Sequence, residues 1–224
     1  MTDLQTFDNW IDGAFVPPAS GKRMETSNPY TGEVWAEVAD DPDAIDDAVR
    51  AARRAFEDGP WAAMPARERA RLMRDLGEAL TRDADELAQA ETRDNGKIIR
   101  ETTAQAKSLE SYLDYFAGMT DKVTGDQLPS PSPNFLVYTE RVPKGVVGAI
   151  IAWNSPLALM AWKLGPLLAA GCTVVVKPSD ITPVTALMLA ERAAEVGFPP
   201  GVINVVTGGP AVGAAIVHIL GSTS

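Results

Sequence analysis

One segment, Gly145 to Asp180, restricts the possible folds more than the rest of the chain: GVVGAIIAWNSPLALMAWKLGPLLAAGCTVVVKPSD. A β-branched run (Val146, Val147, Ile150, Ile151) breaks at Trp153-Asn154-Ser155-Pro156. An apolar stretch of helix length follows and stops at Gly171. A second β-branched run, Thr173 to Val176, ends in Lys177-Pro178-Ser179-Asp180. Parallel strands need a long crossover between them, so this spacing predicts a βαβ unit. Polar residues fall where each strand ends, and open parallel sheets bind ligands outside those ends. The pattern continues with helical periodicity from Pro183 to Val196 and a break at Gly197-Phe198-Pro199-Pro200-Gly201. Val202 to Val206 reads as a third buried strand, Thr207-Gly208-Gly209-Pro210 as a glycine turn, and Ala211 opens another helix. Residues 146–217 therefore read βαβαβα, an α/β, Rossmann-like parallel sheet with flanking helices. The turn reads GGPAVG instead of G-x-G-x-x-G, so this grammar by itself supports only a nucleotide site.

Upstream, residues 10–39 predict short strands with turns at Asp12-Gly13 and Thr31-Gly32. Asp43 to Asp58 reads as a helix capped by Asp41 or Asp43, with Ile45, Ala48, Val49, Ala52 and Phe56 on one face. Ala66 to Asn95 reads as one long helical stretch stopped by Gly96, and Ile98 to Val123 as another. Gly125 to Pro133 reads as loop. Phe135 to Val142 (FLVYTERV) alternates like an exposed strand.

A length of 224 residues allows one or two domains. The net charge of −10 argues against nucleic-acid and anionic-membrane partners. A lone cysteine permits no internal disulfide and suits a reducing cytoplasm. MTDLQTFDNW lacks both a basic region and an apolar core, so no signal peptide is expected. The uncharged run from Val146 to Trp162 is interrupted by Asn154 and Pro156 and followed by Lys163 and Pro166, unlike a membrane span.

The strand ends carry the candidate chemistry. Asn154 offers an amide that suits a developing oxyanion, or else an Asn-Ser-Pro turn. Lys177 suits a ribose hydroxyl or a phosphate, and Asp180 suits a ribose 2′-hydroxyl while repelling a 2′-phosphate. The bland alternatives are a surface lysine and a helix-capping aspartate. Lys163 is the sole charge of an apolar helix, which is costly unless it reaches a cleft or a partner. Cys172 follows a helix-ending glycine and opens a strand, as a small buried hydrophobe does. No metal-spaced cluster occurs.

Several segments together, WNSPLALMAWKLGPLLAAGCTVVVKPSD, GFPPGVINVVTG, Asn28-Pro29-Tyr30-Thr31-Gly32-Glu33, Glu91-Thr92-Arg93-Asp94-Asn95-Gly96-Lys97 and Tyr115-Phe116-Ala117-Gly118, resemble the aldehyde dehydrogenase superfamily. The resemblance runs from about Trp10 to Val217. It implies NAD as cofactor in preference to NADP, a small-molecule aldehyde as substrate, and a homo-oligomer. It divides the chain into residues 1–124, the N-terminal strands and helices of a cofactor-binding domain; 125–145, an oligomerisation-type strand segment; and 146–224, the dinucleotide-binding core. Asn154 then becomes the oxyanion donor, and Lys163 lies near the active-site water. Ser155 stands where many relatives carry an aromatic residue, implying a more open or polar pocket. Ile150, Ile151, Ala152 and Trp153 line the cofactor cleft. Lys177, Ser179 and Asp180 serve the adenosine ribose. Gly209 and Pro210 form the turn beside the adenine, and Gly213 permits helix packing beside it. Ser222 matches a pyrophosphate-contacting serine. The nucleophile motif G-Q-x-C and the base motif E-L-G-G-K are not in this chain, which resembles the truncated cofactor-binding half of such an enzyme and is expected to be inactive alone. The alternative is a non-catalytic nucleotide-binding remnant or interaction fragment.

Overall fold

The computed structural model describes residues 4–221. Its main sheet has the order β3-β2-β10-β9-β8, formed by β2 (Asn9–Ile11), β3 (Ala14–Val16), β8 (Val146–Ile150), β9 (Thr173–Lys177) and β10 (Ile203–Val205). β8, β9 and β10 are mutually parallel, as the βαβαβα reading requires. The sheet is nevertheless mixed: β2 joins β10 antiparallel, pairing Trp10 with Val205. β3 folds back on β2 through Asp12-Gly13, both at positive φ (54° and 80°), the backbone of a tight hairpin turn. Periodicity cannot show this, because an N-terminal hairpin and a distant strand share no local pattern.

Every residue of β9 is buried, and its alternate side chains serve different faces. Val174 and Val176 enter one apolar cluster, Val175 the other. On the Val175 side lie α1 (Ala44–Glu57) and α7 (Pro210–Gly221). On the Val174 side lie α5 (Pro156–Ala170) and α6 (Val184–Glu195), backed by α2 (Ala66–Arg82), α3 (Ala84–Asn95) and α4 (Ile99–Ala117). Helices on both faces explain why these strands read as continuous apolar runs. A second sheet joins β1 (Gln5–Phe7), β5 (Val34–Ala39) and β4 (Arg23–Ser27) in that order.

Local expectations fare unevenly. Gly96 and Gly171 end α3 and α5 in the left-handed conformation, at φ 75° and 88°. The stretch Ala66 to Asn95 is two helices, not one. Asp83 breaks it, and its carboxylate accepts from Arg192 Nε on α6 at 2.6 Å. Asp43 makes no side-chain cap. Asp41 instead accepts from the Asp43 and Ala19 amides. Within the expected loop, Gln127–Leu128 forms β6, paired with β7, which keeps only Val137–Tyr138 of the alternating run. A two-stranded ribbon with no third strand has little to extend it. No described helix is long and apolar enough to cross a membrane.

Candidate functional site

The carboxyl ends of β8, β9 and β10 open into three turns, each held by side chains from elsewhere in the chain. After β8, the chain passes Ile151, whose amide donates to Lys177 O at 2.9 Å, and reaches Asn154-Ser155 before α5. Pro156 suits the first helical turn, where its missing N–H leaves nothing unsatisfied. The helix start is secured from α3: Glu91 Oε2 accepts from the Leu157 amide at 3.2 Å. Lys97 Nζ donates to Ser155 Oγ at 3.1 Å and to Gln105 Oε1 at 2.6 Å, and lies 3.7 Å from Glu91 Oε1. Ser155 Oγ in turn donates to Asn154 O at 2.7 Å. Burial raises the Glu91 carboxyl above its ordinary pKa, opposed by the Leu157 N–H and Lys97. Asn154 itself is exposed, and among the described residues no hydrogen bond holds its amide. Lys163 is exposed beside Trp162, so the burial cost that motivated its selection does not arise.

After β9, Lys177 is 7 % exposed, and no hydrogen bond to its ammonium is made among the described residues. Burial lowers its pKa, while Asp180 and Asp40 oppose the shift. Ser179 Oγ donates to Asp180 Oδ1 at 3.3 Å. The capping alternative for Asp180 is not realised: the Val184 amide at the start of α6 donates to Asp94 Oδ2 at 3.1 Å. Asp94 Oδ1 accepts from Thr26 Oγ1 at 3.0 Å. Desolvation raises the buried Asp94 carboxyl to a pKa of about 7.

After β10, the Thr207 amide donates to Asn9 Oδ1 at 2.9 Å, and its hydroxyl to Ala39 O at 2.7 Å. Gly208 has φ 136°, and a Cβ there would stand 2.6 Å from Asp40 Oδ1. The Gly209 amide donates to that same oxygen at 3.1 Å. A Cβ on Gly209 would meet nothing within 4 Å, so the space above it is open. The same holds at Gly213, which is a correction: its missing side chain serves no helix contact in this chain. Pro210 is exposed beside it. Of the apolar candidates, Ile151 is core, whereas Ile150 and Trp153 are half exposed and Ala152 is exposed. Trp153 and Ile181 edge a cavity of about 400 Å³ that reaches Asp94 and Thr26. A cavity of about 530 Å³ lined by Trp35, Arg93 and Met188 receives nothing from the three turns. Ser222 lies outside the described residues. Cys172 is buried, as its setting predicts.

Sequence reasoning missed Asn9, Asp40, Glu91, Asp94 and Lys97. The signal for two of them was present: Glu91 and Asp94 lie one helical turn apart, on a helix whose Leu87 and Ala90 are apolar. Acids at that spacing beside a core stripe point inward.

The chain is similar to known proteins over most of its length. Residues 15–219 fit the description "Aldehyde dehydrogenase family". The human protein "Aldehyde dehydrogenase, mitochondrial" is 45% identical over 211 residues, which are 92% of this chain and 41% of that protein. The (Z)-2-((N-methylformamido)methylene)-5-hydroxybutyrolactone dehydrogenase of Acinetobacter baylyi is 43% identical, over 95% of this chain and 44% of its own. The NAD+ complex of a Bacillus cereus aldehyde dehydrogenase superposes with TM-score 0.92 at 44% identity, again over 95% of this chain and 44% of that one. The chain thus spans less than half the length of each of these relatives.

Proposed function

The chain belongs to the aldehyde dehydrogenase family, and from that premise we propose that its strand ends form the NAD-binding cleft and oxyanion donor of an enzyme oxidising a small-molecule aldehyde to a carboxylic acid. One observation carries the reading: Lys177 is 7 % exposed and its ammonium makes no hydrogen bond among the described residues, beside the Asp180 carboxylate that Ser179 holds. A buried cation without a partner is costly unless a ligand supplies the missing acceptors. Ribose hydroxyls supply them, and the open space over Gly209 and Gly213 leaves room for the rest of a dinucleotide.

A bound nicotinamide would supply the hydride acceptor for the oxidation. The chain's own part is to position and polarise. Asn154 Nδ2 donates to the carbonyl oxygen as charge builds on it. Glu91, Lys97 and Ser155 hold that loop at the start of α5. Ile150 and Trp153, with Ala152 between them, form the apolar wall of the cleft, Ile151 packs in the core, and Ser179 orients Asp180. Lys163 belongs to the aldehyde side and is free to reach it from the exposed face of α5.

Calorimetric titration tests the cofactor reading. NAD is expected to bind more tightly than NADP, because the 2′-phosphate meets Asp180. Equal or tighter NADP binding overturns it. The buried Cys172 favours a second reading, that these 224 residues act only as a nucleotide-binding or interaction unit. Reactive thiols need a partly open setting, whereas Cys172 is buried. The isolated chain is therefore expected to form no NADH from aldehydes. Turnover abolished by Cys172→Ala would overturn that expectation. The exposed Phe135, Leu136, Tyr138 and Val142 around β7 suit contact with a second copy, and the lone thiol suits a cytoplasmic setting.

A further inference from the structure

We infer that Asp40, just after β5, is a specificity-determining residue that helps this cleft refuse a 2′-phosphate; the inference rests on the cofactor reading above. Nothing in the local sequence marks Asp40, which stands 169 positions before the turn it serves. Its side chain is 13% exposed. One oxygen accepts from the Gly209 amide at 3.1 Å and fills the space a Gly208 side chain would need. The other lies 2.6 Å from Lys22 Nζ, whose side chain is 69% exposed. The charges of Asp40 and Asp180, from distant parts of the chain, both act on Lys177. Before any ligand binds, those three groups sum to one negative charge. Lys22, in direct contact with Asp40, offsets it, so the four groups together carry no net charge and Asp40→Asn would leave the site positive. A ribose hydroxyl enters such a site at no charge and hydrogen-bonds to either sign. A 2′-phosphate brings about two further negative charges to the same place.

The competing account is that Asp40 only holds the glycine turn. Two substitutions separate charge from shape. Asp40→Asn keeps an oxygen for the Gly209 amide and loses the charge. Lys22→Gln removes an exposed positive partner and leaves the turn untouched. In the full-length protein, titrated calorimetrically with NAD and with NADP, Asp40→Asn is expected to raise the NADP-to-NAD affinity ratio about fivefold. Lys22→Gln is expected to lower the ratio by about twofold, and both effects shrink at high salt. Opposite signs from the two variants cannot come from a looser turn, which weakens both nucleotides together. If the parent protein binds NAD and Asp40→Asn leaves the ratio unchanged, the inference falls and the cofactor reading stands. If the parent binds neither nucleotide, both fall.

Discussion

A single ammonium, that of Lys177, ties the fold to the proposed chemistry, and its titration gives two opposed signals. Burial depresses its pKa below the ordinary lysine value of 10.5. The folded state therefore holds fewer protons there than the unfolded state, between the depressed value and 10.5. Stability consequently rises with pH through that window, as the cost of burying charge disappears. Nucleotide affinity falls through the same window, because the neutral amine is a poorer partner for ribose oxygens. Thermal melts and NAD titrations over an alkaline pH series check both trends. Lys177→Met is expected to flatten both and to weaken NAD binding by about tenfold, worth roughly 1.4 kcal/mol. A variant that binds NAD as the parent does would remove Lys177 from the site. The placement of Asn154, Lys177 and Asp180 at or after strand ends was legible in the sequence because a polar residue ending an apolar strand is a local signal. Asn9 and Asp40 were not, since their contacts to Thr207 and Gly209 cross almost the whole chain and follow no spacing rule.

The element that organises the site is α3, which carries none of the residues proposed to touch substrate or cofactor. Glu91 receives the Leu157 amide of α5, and Asp94 the Val184 amide of α6, so one helix secures the starts of two others. Acceptors at helix starts satisfy donors that have no partner within the helix, and negative charge there also meets the positive end of the dipole. Asp94→Ala strands the Val184 amide in the interior and leaves the Thr26 hydroxyl only the Ile181 carbonyl, and is expected to cost about 2–4 kcal/mol in urea unfolding. Asp94→Asn keeps acceptor and donor capacity, carries no buried charge at neutral pH, and is expected to lose markedly less. Equal losses for the two would mean that Asp94 contributes through its charge alone. Gly201 marks the other fixed point, at φ 81°, where a Cβ would stand 2.5 Å from Ala51 O on α1. Gly201→Ala combines left-handed strain with a backbone clash and should cost more than about 2 kcal/mol. Helix and strand existence along residues 146–217 was legible from period and punctuation. The break at Asp83, whose carboxylate Arg192 on α6 also holds, was not, and neither was the shortening of the Phe135 to Val142 run to a two-residue strand paired with β6.

At the scale of the whole molecule, the sheet order leaves its two edges unequal. Beyond β10 the N-terminal hairpin of β2 and β3 covers the parallel core, and β3 ends in an exposed Val16. At the other end β8 is itself the edge, paired among the described residues only with β9, with Gly148 and Ile150 exposed. Doubly wound sheets place their next strand beside the first, which is this edge, and the relatives have more than twice this length to supply it. Around β7 a second uncovered surface presents Phe135, Leu136, Tyr138 and Val142. Open edges and apolar patches promote association, whereas the net charge of −10 opposes it. Salt decides between them. At physiological ionic strength, charges farther apart than about 8 Å are largely screened, while the apolar contacts keep their strength. The 224-residue chain alone is therefore expected to self-associate at physiological salt, and less so as salt is lowered. Size-exclusion chromatography across a salt series, with hydrogen exchange on the eluted protein, checks this. Amides of β9 and β10 should be the best protected, and those of β8 should gain protection as association proceeds. A monodisperse monomer at every salt concentration, with β8 as protected as β9, would show that residues 146–217 are complete as a domain and that the β8 edge needs no further strand.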